Sequence, residues 1–193
     1  MGYGYAEQDD FSDTYTFDGI LVSVYKLIDK EIVNRDLSTI RKSGVLFGPV
    51  PVFRYPPSRG KNKWIKIHHT KDFLINKWPL FKTYQGVNKE EKNWSKLDKW
   101  RIVDYNSSEV EMNFQDYEKL RHLETTILNS GEGVAMKITM MKLIEEKKKV
   151  SEFYDLRLLG NRNIYLQLVN TYYGKEKASS LLDDLSDEVI YDY

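Results

Sequence analysis

The stretch SSEVEMNFQDYEKLRHLETTILN, residues 107–129, places Val110, Phe114, Tyr117, Leu120, Leu123 and Ile127 in steps of three and four. That spacing lines one face of a helix, and Ser107 or Ser108 supplies an N-cap. Ser130-Gly131-Glu132-Gly133 then reads as a turn. Residues 134–159 continue mainly as helix through Met141, Ile144, Phe153 and Leu156 to Gly160, with the first turn open to a strand reading. Two helices joined by a short turn make a helical hairpin. The reading is therefore a helix-rich α+β fold with a long helical hairpin and a small antiparallel sheet. Two shorter helices, 163–173 and 175–185, are expected on either side of Gly174.

Upstream of the hairpin, Ile20, Leu21, Val24, Leu27, Ile28 and Ile32 fit a helix capped by Asp18 and running to about Asn34. Asp36 caps a short second helix stopped by Gly44. Residues 45–55 are β-branched and aromatic, and Pro49 and Pro51 restrict them to an edge strand. Residues 55–62 read as a loop and 64–69 as the returning strand of a β-hairpin with a basic tip. Residues 70–98 are irregular, and 99–105 alternate as a strand. The resulting division is an N-terminal arm, 1–17, a single globular domain, 18–185, and a C-terminal tail, 186–193. Within the domain, 45–105 is basic and β-rich and 107–185 is helical.

The composition excludes much chemistry. With no cysteine there is no disulfide, no thiolate nucleophile and no cysteine-ligated metal. Of three histidines, His68 and His69 are adjacent and point to opposite faces of a strand, while His122 is remote. Phosphate-loop, dinucleotide, nucleophile-elbow and zinc-protease motifs do not occur. The acidic pairs Asp9/Asp10 and Asp183/Asp184 lack calcium-loop spacing. No enzyme activity, cofactor, metal or small-molecule substrate is expected. No apolar run is long enough to span a membrane, and Met1–Tyr5 lacks the features of a signal peptide.

A net charge of zero conceals segregation. Residues 1–18 carry five acids (Glu7, Asp9, Asp10, Asp13, Asp18) and no base. Residues 180–193 carry another five (Asp183, Asp184, Asp187, Glu188, Asp192) and no base. Residues 54–101 hold 13 bases against Asp72, Glu90, Glu91 and Asp98, a net of +9. Both acidic ends also bear aromatics, including Tyr3, Tyr5, Tyr191 and Tyr193. Tyrosine packs a ring and bonds a hydroxyl at interfaces. The ends therefore read as docking arms for a basic surface, either the chain's own middle segment or a neighbour's.

Arg54, Arg59, Lys61, Lys63 and Lys66 form the basic contact surface of that reading. Lysines beside Trp64, Trp78 and Trp100, and Asn93-Trp94 with Lys96, also suit phosphate neutralisation next to a stacking ring, although pleat alternation alone yields the same pattern in a strand. Two helices before a basic hairpin permit a winged-helix reading as well.

Lysine outnumbers arginine 21 to 8 and there are only three alanines. Such a bias favours AT-rich codons and fits a low-GC bacterium, its phages or an AT-rich protist. The helical hairpin over 107–159, the basic hairpin over 45–69 and the acidic aromatic arms together resemble the connector and adaptor ring proteins at the neck of tailed bacteriophages. That resemblance implies a virion protein (otherwise in the host cytoplasm) that forms a homo-oligomeric ring, meets other virion proteins and touches DNA without sequence preference. The alternative is a winged-helix-like nucleic-acid-binding regulator with autoinhibitory acidic tails. Docking within one chain favours the regulator, and docking between chains favours the ring.

Overall fold

A computed structural model describes residues 3–9, 19–53, 64–67, 79–84, 91–105 and 115–191. The chain mixes helices with small sheets and divides into two compact units. The first comprises Met1–Leu80, Asp104–Glu109 and Thr126–Val134; the second comprises Phe81–Val103, Val110–Thr125 and Ala135–Tyr193.

The first unit is built on an antiparallel sheet ordered β1 (Tyr3–Asp9), β2 (Gly19–Asp29), β3 (Val45–Phe53). β2 replaces the helix expected over 18–34. Every residue from Ile20 to Tyr25 is buried. In a pleated strand, consecutive burial means that both faces are covered. Such a continuous apolar run satisfies helical and strand spacing alike. Here β-branched Ile20, Val22 and Val24 favour the strand. The winged-helix reading loses its first helix with this correction.

β1 pairs with β2 from Tyr3 opposite Asp29 to Asp9 opposite Leu21. β3 pairs with the other side of β2, Gly19 opposite Phe53 and Tyr25 opposite Val45. β3 lies at an edge, as its prolines require. The ladder shifts register around Val22 and Val24, opposite Gly48. There the backbone has φ +111°, and an added Cβ would lie 2.6 Å from the Val22 carbonyl oxygen, so only glycine fits. Asn129 closes part of the outer edge of β3, its N–H donating to Pro51 O at 2.8 Å and its carbonyl accepting from Phe53 N at 3.1 Å.

The short helix α1 (Leu37–Lys42) forms where expected, with Asp36 accepting from Thr39 N at 2.9 Å. Ile40 buries against Tyr5 and Tyr25, with Leu27 and Ile67 beside them. Residues 64–67 are not a strand, so the described part of the expected returning strand is irregular. The hairpin tip at 55–62, and His68 and His69, lie outside the described residues.

In the second unit, β5 (Trp100–Asp104), β4 (Leu80–Tyr84) and β6 (Glu124–Thr125) form a small sheet with β4 central. β4 and β6 run parallel, Phe81 opposite Glu124 and Lys82 opposite Thr125. This pairing overturns the long helix over 107–129. Among the described residues 115–129 the helical part is α2 (Tyr117–Leu120) alone, capped by Asp116. The β-branched Thr125-Thr126-Ile127 that follows is poor helix material.

The glycine turn at 130–133 is instead the start of α3 (Gly131–Glu145). Gly133 N donates to Ser130 Oγ at 3.0 Å. The expected continuation to 159 stops at Glu145. Lys147 takes φ 58°, Lys148 N donates to Leu143 O at 2.9 Å, and Lys147 N donates to Ile144 O at 3.1 Å. These are the paired bonds of a Schellman stop. A helical hairpin over 107–159 is therefore not formed by the described residues. The last two helices, α4 (Leu159–Tyr172) and α5 (Lys175–Leu182), flank Gly174 as read from sequence.

Trp100, Tyr117 and Leu120 form a buried cluster with Tyr84 and Trp94 packed against it. Trp100 lies 5.0 Å from Tyr117 and 5.4 Å from both Tyr84 and Trp94, centroid to centroid. Trp94 and Trp100 are thus packing residues in the described structure, Trp100 on β5 and Trp94 on the helical turn Trp94–Lys96.

Candidate functional site

The acidic C-terminal tail lies on bases of its own unit. Lys92 Nζ donates to Asp187 Oδ1 at 2.6 Å and to Leu185 O at 3.2 Å. Arg157 Nη1 reaches Glu188 Oε2 at 3.3 Å, and Arg162 Nη1 donates to Ser186 O at 2.9 Å. Backbone pairing completes the dock: Ile190 N donates to Arg157 O at 2.7 Å, and Leu159 N donates to Ile190 O at 3.0 Å. The Lys92 hydrogen bond lowers the pKa of the Asp187 carboxyl. Asp187 is fully exposed, so that ion pair is weak and salt-sensitive. The backbone pairing is not.

The acidic N-terminal segment is also held within its own unit. Tyr5 is buried in the core. Its hydroxyl lies 2.5 Å from Asp29 Oδ2 and 2.9 Å from Val33 O. Arg35 grips the same carboxylate with Nε to Oδ2 at 3.0 Å and Nη2 to Oδ1 at 2.9 Å. The Arg35 and Tyr5 hydrogen bonds hold the Asp29 pKa down at about 2. Burial raises that of the Tyr5 phenol, with Asp29 adding to it.

Of the contact residues read from sequence, Arg54, Arg59, Lys61, Lys63 and Tyr193 lie outside the described residues. Lys66 is exposed, next to Ile67 on the first unit's core. Tyr3 occupies a β1 position opposite Asp29. Tyr5 is a core side chain and presents no exposed ring. Tyr191 is half exposed in the second unit. Lys92, Arg157 and Arg162, the bases that hold the tail, were not singled out by sequence reading. Only Lys92 belongs to the basic segment; the arginines are isolated charges whose role comes from the path of the tail.

A second feature without a sequence motif is a set of buried charges in the second unit. Lys82 and Lys137 are wholly buried and Glu124 nearly so. Glu124 Oε1 accepts from Thr125 N at 2.9 Å, and its Oε2 accepts a short hydrogen bond from the Tyr172 hydroxyl. Lys82 Nζ donates to Arg121 O at 2.9 Å and lies 3.4 Å from the Tyr117 hydroxyl, which donates to Asn170 O at 2.6 Å. Burial pulls the pKa of Lys82 down to about 7, opposed by Glu124 and reinforced by Arg121. Burial likewise lowers that of Lys137, opposed by Glu124. Lys137 Nζ has no hydrogen-bond partner. A trace exists in sequence: Lys137 shares a helix face with Met141 and Ile144, a lysine at a core position.

Two shallow clefts occur in the second unit. One, of about 350 Å³, is lined by residues 95–98 and 115–117; the other, of about 400 Å³, by residues 151–157 with Asp184 and Ser186. Among the described residues, no group of three metal-ligating side chains converges, and no helix is long and apolar enough to cross a membrane. No family model, curated protein or solved structure matches this chain.

Proposed function

We propose that this chain is a non-enzymatic structural protein of a large assembly, a virion connector or ring component. Its acidic C-terminal tail is exchanged between neighbouring copies. The observation this reading starts from is the tail dock, an acidic segment seated within one chain on Lys92, Arg157 and Arg162 and paired through Ile190; the ring reading takes the same contact as made between copies. A short segment held by a few backbone bonds and screened ion pairs is the kind that identical subunits swap. Head-to-tail repetition of that contact closes a ring if the rotation allows. Other virion proteins and the DNA backbone are the further partners of this reading.

The test uses the absence of native cysteine. Lys92→Cys and Asp187→Cys chains are mixed, dissociated, reassociated and treated with a short bis-maleimide. Exchange gives a covalent dimer containing one copy of each variant. A double variant that yields only an intramolecular link, with no dimer from the mixture, overturns the reading.

The same contact, made within one chain, favours the alternative of a sequence-blind nucleic-acid binder whose tail covers its own bases. In this form the strand β2 stands where the winged-helix reading put its first helix. A chain lacking residues 186–193 that gains salt-sensitive duplex binding, combined with intramolecular cross-linking alone, establishes that alternative.

A further inference from the structure

The second unit buries two lysines around one carboxylate, and this arrangement stands apart from the assembly reading. Lys82 comes from β4, Glu124 from β6 and Lys137 from α3. Around them, α2 contributes Tyr117 and Arg121, and α4 contributes Tyr172. Arg121 is already committed: its Nε and Nη2 bind Glu118 at 2.9 and 2.8 Å, and its Nη1 donates to Asn170 O and Tyr173 O at 3.0 and 3.1 Å. Among the described residues, Glu124 is thus the one buried carboxylate beside both lysines. Its carboxylate accepts from Thr125 N and from the Tyr172 hydroxyl. One carboxylate balances one ammonium. A second ammonium would be an uncompensated buried charge, which an interior rejects by giving up the proton.

The geometry says which lysine is neutral. Lys82 Nζ has the Arg121 carbonyl at 2.9 Å, the Tyr117 hydroxyl at 3.4 Å and the Tyr117 ring face at 5.0 Å. All three favour a cation when Lys82 takes a proton. Lys137 is equally buried and, among the described residues, has no acceptor for even one N–H. We propose that Lys137 is held as an uncharged amine in the closed second unit and takes up a proton only when that unit opens, so that Lys82, Lys137 and Glu124 form a proton-operated lock.

The sign follows from linkage. A lysine neutral when closed and charged when open binds its proton in the open state. Opening is then favoured as pH falls, by tenfold per pH unit for one proton, below the ordinary lysine value of about 10.4. Burial depresses both lysines, so Lys82 adds to the slope above its own value of about 7 and drops out below it. Lys137 contributes on both sides of that point.

The test is the opening constant of α3 and α4 in the full chain, from hydrogen exchange corrected for intrinsic rate, between pH 6 and 9. Wild type is compared with Lys137→Met, which keeps the apolar stem and removes the amine. The expected result is a ratio between the two that changes tenfold per pH unit. Parallel profiles overturn the proposal. Should Lys137→Met fail to fold, the ε-carbon resonances of the wild-type lysines decide the matter. One lysine that keeps the neutral-amine shift from pH 9 down to pH 6, below the Lys82 value of about 7, supports the lock, and all 21 lysines charged at pH 6 overturns it.

Discussion

Tyr5 and Asp29 show how single side chains turn an acidic, aromatic segment into part of a sheet. The Asp29 carboxylate serves Arg35 and Tyr5 at once. Its folded-state value, about 2, lies below the unfolded value of about 3.9. The contribution is therefore present above pH 4 and is lost as pH falls toward 2. Amide protection of residues 3–9 should drop over that window, and Asp29→Asn should flatten the drop. Tyr5→Phe keeps the ring and removes the hydroxyl, at a cost of about 1 kcal/mol, measured by urea unfolding. At Gly48, φ +111° and the 2.6 Å approach of Val22 O to any added Cβ make Gly48→Ala unfavourable by about 2 kcal/mol or more. An unchanged urea midpoint would contradict that geometry.

Elements in this chain end where backbone chemistry stops them rather than where apolar spacing does. Spacing carries α3 past residue 150, yet the helix closes on Lys147 in the left-handed conformation, φ 58°. A residue with a Cβ is disfavoured there, whereas glycine is not. Lys147→Gly should therefore stabilise the second unit by about 0.5–1 kcal/mol, after allowing for glycine's freedom in the unfolded chain. A loss of stability would mean that the Lys147 side chain contributes more than its backbone costs. β6 makes the same point. Leu123 and Ile127 fit a helical stripe by spacing, and the pairing of Glu124 and Thr125 with Phe81 and Lys82 takes the segment between them out of a helix.

At the scale of the molecule, both acidic termini have described segments engaged within their own units. Limited proteolysis of a verified monomer should consequently leave residues 3–9 and 185–191 protected while their units stay folded. Early cleavage in either segment would show that the contacts form only in assemblies. Removing residues 186–193 deletes the two Ile190 backbone bonds, worth about 1–2 kcal/mol together. For a unit of this size that corresponds to a fall in Tm of roughly 4–8 °C per kcal/mol. Raising salt should weaken the Lys92–Asp187 and Arg157–Glu188 pairs and leave the Ile190 pairing in place, so wild type should lose only part of what the truncation loses.

Local chemistry was legible from the residues alone. Asp36 caps α1, the prolines send β3 to an edge, the strand read over 99–105 forms as β5, and Gly174 separates α4 from α5. Each rests on a residue's own backbone preference or on contacts a few positions away. The segregation of charge was equally plain, since it needs only counting. Tertiary structure decided β2, because a run buried on both faces has no period to read. It decided β6, because a strand of two residues exists only through a partner more than 40 positions away. It alone seated the tail on Lys92, Arg157 and Arg162, and it alone set Lys82 and Lys137 around Glu124. Long-range electrostatics and burial depend on which segments meet, and spacing along the chain carries no record of that.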